Sequence, residues 1–338
     1  MWEIWFLPGL PDARIGMSIR LHHVIADGIA GVASLGLLLD TDPDITPSPA
    51  PPWTPGPRPT DRELRGDNLQ RRADELVRAV RVIAHPAATL RHARAGWPAM
   101  RELLAQEPGP RTSLNRLVGP HRTLALIRSN LDLVTQVAHA HAATVNDVLL
   151  AMTAGGLRGL LRSRGEPVED LTLPIYVPVS LRRDRTRPGA GNLISQMVVP
   201  LPIGTSDPGH RLRQIATETA TRKANPRPSL GTVFRNKILA RAMLPLIAKK
   251  RVNIETADLP GPQTPLYFRG AQMLDVFPLL NLVGNVSLGV GALSYAGQFN
   301  VMAVGDADTY PDIEVFTAGA RNELSALIGA GKPATRTR

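Results

Sequence analysis

The spacing of apolar and polar residues in the first sixty positions predicts a hairpin, a helix and a linker. Residues 3–7 and 15–22 are apolar, strand-like runs, and the turn-forming residues 9–12, Gly-Leu-Pro-Asp, separate them. Residues 29–39 then carry apolar positions at helical spacing. Eight prolines within residues 41–59 interrupt any regular pattern, so this stretch is predicted to be a linker or a surface crossover.

The middle of the chain is mainly helical in its periodicity. Asn130 and Thr144 carry side chains preferred at helix N-termini, and each precedes a helical pattern. Gly155 and Gly156 lie inside the second of these patterns, where glycine weakens a helix, and this indicates a close packing contact. The pattern predicts four helices, at residues 61–84, 87–104, 131–141 and 145–162, and one strand, at residues 122–128.

From residue 171 onward the pattern changes to buried strands with helices between them. The predicted strands are residues 171–179, 193–201, 272–280, 287–293 and 299–304, and the predicted helices are residues 209–224, 230–248 and 312–328. Because strands and helices do not alternate strictly, the series favours an α+β or mixed-sheet α/β fold. Residues 276–305 are uncharged and long enough to span a membrane, but their proline, asparagine and glycine residues indicate short strands instead.

Composition narrows the classes of protein that fit. The chain has 338 residues, 43% of them apolar, no cysteine, and a net charge of +10. The absence of cysteine excludes a disulfide scaffold, a thiolate metal site and a cysteine nucleophile. The basic excess makes nucleic acid, anionic lipid and phosphorylated ligands candidate partners. Aromatic residues are only 4% and do not interleave with basic runs, which disfavours a nucleic-acid platform.

The sharpest chemical pattern is the sequence His-His-Val-Ile-Ala-Asp-Gly at residues 22–28, where a predicted strand gives way to a helix. Imidazole is neutral near pH 7 and can take a proton from a hydroxyl group. Neighbouring strand residues point to opposite faces, so only one of His22 and His23 faces a given cleft. Asp27 can hold the loop, and Gly28 allows another group to approach closely. The alternative is a packed histidine pair beside a helix cap.

Other patterns are less specific. Four arginines within residues 182–187, starting at Arg182, suit a phosphorylated ligand or a solvated loop. Asn146 and Asp147 stand at a helix start and are, from the residues alone, a cap-region pair. Residues 219–254 hold basic residues around an apolar helical face, typical of a membrane-surface helix or of a packed helix with a basic outer face. The chain has no Gly-x-Ser-x-Gly elbow, and no third ligand completes a metal site at the histidine pair.

Several blocks together resemble the bacterial wax ester synthase/diacylglycerol acyltransferases, which are acyl-CoA-dependent transferases with a chloramphenicol-acetyltransferase-like fold. The histidine motif alone is shared with peptide-synthetase condensation domains, whereas the later blocks select the lipid acyltransferases. In the family's order, the blocks are Trp2-Glu3 with residues 9–12, the histidine motif, residues 144–150 and 178–182, Gly191-Asn192, residues 258–262 and 293–297, and residues 306–308 with Pro311-Asp312.

The resemblance implies two similar α/β halves with a tunnel between them. Residues 1–120 would form a partial N-terminal acyltransferase domain, residues 121–330 the C-terminal one, and residues 331–338 a disordered tail. Family members carry a substantial segment before the histidine motif, which here begins at residue 22, so we expect a first domain truncated at its N-terminus. Where the family often has Ser-Asn before its Pro-Gly-Pro turn, this chain has Ala-Asp-Leu at residues 257–259.

The resemblance also implies a mechanism. His23 would act as general base on the hydroxyl of diacylglycerol or a long-chain alcohol, and the oxygen would attack the thioester of acyl-CoA, a co-substrate, without any cofactor or metal. His22, Asp27 and Gly28 belong to the same motif. Three residues are alternatives for the donor that stabilises the thioester oxygen: Asn146, Ser294 and Tyr295.

The remaining expectations concern substrates and location. The residues expected to bind substrate besides the three donor candidates are Asp147, Ser180, Arg182 and Asn192, with the arginines at 182–187 meeting the phosphates of CoA. The basic stretch 222–251 would rest on the inner face of the cell membrane or on lipid inclusions, so a cytoplasmic, peripheral location is expected, with no nucleic-acid partner. Two alternatives remain: a truncated, inactive homologue that binds lipid surfaces, and a related condensation-type enzyme whose acceptor is an amine or a hydroxyl on a carrier protein.

Overall fold

Ten strands and six α-helices make up the described part of the chain. The computed structural model describes residues 2–22, 28–45, 52, 54–84, 94, 109–180, 194–224 and 252–330. The strands are β1 (Trp2–Leu10), β2 (Arg14–Leu21), β3 (Arg122–Asn130), β4 (Thr172–Ser180), β5 (Ile194–Pro202), β6 (Ile254–Pro260), β7 (Tyr267–Phe268), β8 (Ala271–Gln272), β9 (Leu288–Tyr295) and β10 (Gln298–Asp306). The helices are α1 (Gly28–Leu35), α2 (Asp61–Ala84), α3 (Leu131–Ala140), α4 (Val145–Ser163), α5 (Pro208–Ala224) and α6 (Ile313–Ala330).

The centre of the fold is a six-stranded mixed sheet in the order β3-β10-β9-β6-β4-β5. The three inner strands β9, β6 and β4 run parallel to one another, whereas the pairs β3–β10, β10–β9 and β4–β5 are antiparallel. This arrangement confirms the expectation of a mixed-sheet α/β fold. It also brings the carboxyl ends of the three parallel strands to the same edge of the sheet.

Helices α3 to α6 cover one face of this sheet. Alternate residues of every strand, such as Ile175, Val290 and Val301, share a single buried cluster with the apolar faces of these helices. The α4 helix is buried along most of its length, and its adjacent glycines, Gly155 and Gly156, lie against α6. A Cβ on Gly155 would lie 2.6 Å from the Cβ of Glu323, and one on Gly156 would lie 2.7 Å from Phe316. The predicted close contact at these glycines is confirmed.

The N-terminal hairpin and α1 dock on the opposite face through a second apolar cluster. Leu39, Leu293 and Tyr295 are at the centre of this cluster, and side chains from β2 and α1 pack around them. Further along, the backbone of Asp40 pairs with the backbone of Tyr267 through two hydrogen bonds of 2.8 Å. These contacts hold the N-terminal part of the chain on the sheet, close to the carboxyl end of β9.

Most of the elements predicted from the sequence are confirmed. The hairpin, the helices at 61–84, 131–141, 145–162, 209–224 and 312–328, and four of the five late strands agree with the structure within a few residues, and the helix predicted at 29–39 ends at Leu35. Strands β9 and β10 lie within the uncharged stretch 276–305, and no helix in the described ranges is long and apolar enough to cross a membrane. The helices predicted at 87–104 (apart from Arg94) and 230–248, and the tail at 331–338, lie outside the described residues.

One predicted strand is wrong, and two observed strands, β6 and the two-residue β7, have no prediction. Of the predicted strand 272–280, only residue 272 belongs to a strand, β8. Residues 278–280 instead cross the face of β9, where the Pro278 carbonyl lies 2.8 Å from the Cβ position of Gly291. Pro278 and Leu280 are half-buried there without ladder pairing, and Leu279 is 56% exposed. The central strand β6 is not predicted from the sequence, because Glu255, Thr256 and Asp258 interrupt its run of apolar residues.

The close contact between α4 and α6 makes a stability prediction. We expect Gly156→Ala to lower the free energy of unfolding by about 1–3 kcal/mol, since the added methyl overlaps Phe316 in a packed interface. Gly159→Ala is the matched control on the same helix, because the nearest atom to its Cβ position is 3.6 Å away. That control is expected to be neutral or to stabilise by up to about 1 kcal/mol through helix propensity. Equal effects of the two substitutions in denaturant titrations would contradict the packing argument.

Candidate active site

The carboxyl ends of β4, β6 and β9 form the edge where the candidate site residues come together. Leu259 of β6 pairs with Leu293 of β9. The pairing of Tyr176 with Glu255 places Ser180, the last residue of β4, level with Leu259. Ligands of α/β sheets commonly bind beyond the carboxyl ends of the strands. This edge is therefore the place to look for the reaction centre.

The end of the histidine motif reaches this edge on the face that the N-terminal hairpin covers. Gly28 begins α1, and a Cβ at this position would lie 2.9 Å from Cδ2 of Leu259. The missing side chain thus lets α1 approach the end of β6 closely. His22 follows β2 and is exposed. His23 and Asp27 lie outside the described residues, between two segments that the structure places on this side of the sheet.

The first turn of α4 reaches the same strand ends from the helical face and is fixed by a capping box. Thr144 donates to Asp147 Oδ2 from its backbone N (2.8 Å) and its Oγ1 (2.7 Å), and the Asp147 N–H donates back to Thr144 Oγ1 (3.3 Å). The other carboxylate oxygen, Oδ1, accepts a bond of 2.7 Å from Thr219 Oγ1 on α5. Asp147 is only 2% exposed. Its Oδ2 caps α4, as the residues alone indicated, while Oδ1 makes a contact outside the cap.

Asn146 stands beside this cap with an unused donor. Its Nδ2 atom is buried and has no hydrogen-bond partner among the described residues. A buried donor without a partner costs about 1–3 kcal/mol, and a hydrogen bond to a bound substrate is one way to satisfy it. An amide N–H can donate to a carbonyl oxygen or an oxyanion. Asn146 therefore has the chemistry of a substrate-binding donor.

Ser294 and Tyr295, the other two donor candidates, point to opposite faces at the end of β9. The Tyr295 hydroxyl donates to the carbonyl of Met273 and accepts from the N–H of Leu266, both at 2.8 Å, and the residue is 1% exposed. Its proton is thus engaged within the fold. Ser294 Oγ accepts from the Gly261 N–H at 3.2 Å, and this bond fixes the turn after β6.

Asp258 lies next to the α4 cap, and its pKa is shifted more than that of any other described group at this end of the site. Burial raises the pKa of its carboxyl to about 6, the nearby Asp147 adds to the rise, and Lys223 of α5 opposes it. Strand alternation places Asp258 on the helical face and Leu259 on the other. The two helix N-termini, of α1 and α4, therefore approach consecutive residues of β6 from opposite sides.

Glu255 and Tyr176 also have shifted pKa values, and they lie further back on the sheet, on the face opposite the helices. Burial raises the pKa of Glu255 to about 7 and that of Tyr176 to about 12, with the Glu255 charge adding to the second shift. Tyr176 packs with the apolar side chains of Val198, Val252 and Val286. Glu255 is half-buried beside this apolar patch, where its ionised form is poorly solvated.

The expected binders of CoA phosphates are only partly within the described chain. Ser180 is half-buried at the end of β4, and its backbone is paired with Ile194 at the start of β5. Arg182 and Asn192 lie outside the described residues, in the connection between these two strands. In the ranges that the structure describes, no group of three or more histidine, aspartate or glutamate side chains could hold a metal ion.

Sequence reasoning did not single out three residues that the structure brings to this site. In the sequence, Thr219 and Lys223 belong to a basic helical stretch. Asp258 stands where the family often has the asparagine of Ser-Asn. No local signal marks Thr219, because its partner Asp147 is 72 residues away. The spacing of Thr219 and Lys223 by four positions is the available hint, since it puts both on one side of a helix.

Comparison with known proteins connects this geometry to one family. The sequence profile described as the wax ester synthase/diacylglycerol acyltransferase catalytic domain matches residues 1–149, and that of the family's C-terminal domain matches residues 190–328. A putative diacylglycerol O-acyltransferase of Mycobacterium tuberculosis strain CDC 1551 is 30% identical, over 97% of this chain and 67% of its own length.

Solved structures agree on the fold. The wax ester synthase/diacylglycerol acyltransferase from Marinobacter aquaeolei VT8 superposes with a TM-score of 0.65 at 20% identity, covering 98% of this chain and 72% of that one. The first condensation domain of the CDA synthetase gives a TM-score of 0.52 at 13% identity, covering 97% and 67% of the two chains. These similarities confirm the expected two-domain fold class.

The raised pKa of Glu255 predicts how the stability of the protein depends on pH. Its pKa in the folded protein is above the usual value of about 4.5, so its contribution to stability is present below pH 4.5 and is lost as the pH rises through about 7. We expect Glu255→Gln to remove this loss. The difference in the free energy of unfolding, variant minus wild type, should therefore be about 1–3 kcal/mol larger at pH 8 than at pH 5.

Denaturant titrations at the two pH values measure this change. Glu75→Gln, at an exposed position of α2, is the matched control and should follow the wild type. Parallel pH dependence in the Glu255→Gln variant and the wild type would show that this carboxyl ionises as it does in water.

Proposed function

The chain belongs to the wax ester synthase/diacylglycerol acyltransferase family, and from that premise we propose that it transfers the acyl group of acyl-CoA to a lipid hydroxyl. The acceptor is diacylglycerol, a long-chain alcohol or both, and the product is triacylglycerol or wax ester. One observation supports the choice of particular residues. Gly28 and the turn that contains Asn146 and Asp147 both approach the same end of β6.

His23 is the proposed general base. The neutral imidazole takes the proton of the acceptor hydroxyl as the oxygen attacks the thioester carbonyl carbon. The C–S bond then breaks, and the departing CoA sulfur takes the proton back from the imidazolium. The nucleophile is the substrate's own oxygen, so no covalent enzyme intermediate is needed, which is compatible with a chain that contains no cysteine and no serine elbow.

Asn146 is the proposed donor to the thioester oxygen. Its buried Nδ2 has no partner among the described residues, whereas the Tyr295 proton is directed at Met273. Ser294 keeps a proton that it could donate, but its Oγ is held by the Gly261 N–H in the turn after β6. A donor placed at the developing oxyanion contributes about 10²- to 10³-fold to the rate. In this proposal Tyr295 and Ser294 shape the end of β9, and Asp147 holds the turn that carries Asn146.

The other motif residues have supporting roles in the proposal. Gly28 gives α1 its close approach to β6, while His22 and Asp27 shape the loop around His23. Ser180, Arg182 and Asn192 bind the CoA end, because Ser180 ends the strand at this edge and the other two belong to the connection that follows it in sequence. Arginine side chains suit phosphate groups through paired hydrogen bonds.

We further propose that the reaction takes place at an anionic lipid surface, the inner face of the membrane or a lipid inclusion. The support is chemical: the acceptor is a lipid, and residues 222–251 contain nine basic residues and no acidic one. Basic residues near an anionic surface contribute about 1 kcal/mol each. The segment begins in the last turn of α5, at Arg222, so its attachment point lies beside Lys223 and the candidate site.

The test of the chemistry follows CoA release with a thiol reagent, for which a protein without cysteine gives no background. With acyl-CoA and diacylglycerol or a long-chain alcohol, the wild type should release CoA only when acceptor is present. His23→Ala should lower kcat by about 10²- to 10⁴-fold, and Asn146→Ala by about 10²- to 10³-fold. His210→Ala, at an exposed position, is the control. Full turnover in the His23→Ala variant would rule out the proposed base.

The test of the lipid surface presents diacylglycerol in vesicles. Turnover should be several-fold higher when the vesicles contain anionic phospholipid than when they are zwitterionic, and the difference should shrink as salt screens the charges. A variant with Lys249, Lys250 and Arg251 changed to glutamine should lose part of this difference and keep its turnover in detergent micelles. Equal rates on both kinds of vesicle at low salt would contradict the proposal.

A further inference from the structure

The last turn of α5 faces the candidate site with two polar residues on one side of the helix. Thr219 is 1% exposed, and its Oγ1 lies 2.7 Å from Asp147 Oδ1 and 3.1 Å from the carbonyl of Ala216. A hydroxyl has one proton, and the shorter, charge-assisted bond is the one to the carboxylate. Lys223, four residues later, interacts with Asp258 at the end of β6. The end of α5 therefore contacts Asp147 through Thr219 and lies near enough to Asp258 for the Lys223 charge to act on it.

The bond from Thr219 does more than the cap of α4 requires. The capping box already satisfies the helix start, because Thr144 and Asp147 bond to each other in both directions. Thr219 adds a contact to the second carboxylate oxygen from an element 72 residues away in sequence. With both oxygens held from different sides, the Asp147 side chain cannot rotate without breaking a hydrogen bond. The backbone turn that carries it is fixed along with it.

Asn146 is the residue whose position depends on this turn. It precedes Asp147 directly, in the first turn of α4, and its side chain makes no hydrogen bond to the described residues that could hold it by itself. Its orientation must therefore come from the backbone and from packing. A fixed Asp147 supplies the backbone part of that orientation.

We propose that Thr219 is a positioning residue for acyl transfer, which acts through Asp147 to hold the Asn146 amide in its productive orientation. The inference rests on the proposed function for the identity of the reaction, but the contact between Thr219 and Asp147 does not. Thr219 itself touches no substrate in this proposal. Its effect should therefore appear in kcat through Asn146 and should vanish when Asn146 has no amide.

Three variants test the proposal by kinetics. Thr219→Val keeps the shape and removes the hydroxyl, and should lower kcat by about 10- to 100-fold with little change in the KM for acyl-CoA, as expected for a misplaced reacting group. Thr219→Ser keeps the hydroxyl and should restore kcat to within a few-fold of the wild type. In the Asn146→Ala background, Thr219→Val should have no further effect on kcat, because residues that act as a unit are not additive.

A matched control separates this role from general damage to the helices. Thr153 is also fully buried, and its hydroxyl donates only to Leu149 of its own helix, α4. Thr153→Val should therefore leave kcat near that of the wild type, whatever it does to stability. A kcat of Thr219→Val within twofold of the wild type, or equal multiplicative effects in the presence and absence of the Asn146 amide, would overturn the proposal.

A second readout does not depend on turnover, so that failure of the proposed function and failure of this inference can be told apart. With asparagine-selective ¹⁵N labelling, the side-chain amide signal of Asn146 is assigned by its loss in Asn146→Ala. This signal should shift or broaden in Thr219→Val and stay in place in Thr219→Ser and Thr153→Val. An unchanged signal in Thr219→Val would overturn the positioning role, even if the wild type released no CoA from any acceptor offered.

Discussion

The common direction of β4, β6 and β9 is the constraint on which the rest of the structure depends. Parallel strands end at one edge of a sheet, so three separate stretches of sequence, ending at residues 180, 260 and 295, place their last residues side by side. Each connection that leaves this edge can then supply a group to one centre. A meander of antiparallel strands would divide the same residues between two opposite edges.

The α4 helix converts this edge into a precise site because it is held at its centre and at its start. At its centre Gly155 and Gly156 allow α6 to come close, and Arg211 of α5 forms a buried ion pair with Glu323 of α6 beside them. Removing one partner of such a pair is costly, since the other charge stays buried. At its start the Asp147 carboxylate is held from two elements. A donor on the first turn of α4 is thus mounted on a rigid base, which catalytic hydrogen bonds require.

Local patterns in the sequence were sufficient to predict most of the helices and strands, while the site residues in the short motifs stay a prediction. Helix caps at Asn130 and Thr144 and the glycine pair in α4 are local signals with one physical meaning each, and the structure agrees with them. The apolar run 272–280 has no such unique meaning, because a segment that covers a sheet face buries the same residue types as a strand. Strand β6 and the contact between Thr219 and Asp147 depend on tertiary packing, which no local window contains.

Asp147 and Asp258, the two aspartates beside Asn146, have different roles in the candidate site. Asp147 accepts three hydrogen bonds and offsets the positive end of the α4 dipole, so the helix contributes little net charge there. In the proposed mechanism, the stabilisation of the developing oxyanion at this point then comes from the Asn146 amide dipole. A second full negative charge nearby would oppose it, and Asp258 is such a charge. Burial, which favours its protonated form, and Lys223, which offsets its ionised form, both reduce that opposition. The departure from asparagine at this position is therefore compatible with the proposed chemistry, provided that Lys223 stays at the end of α5.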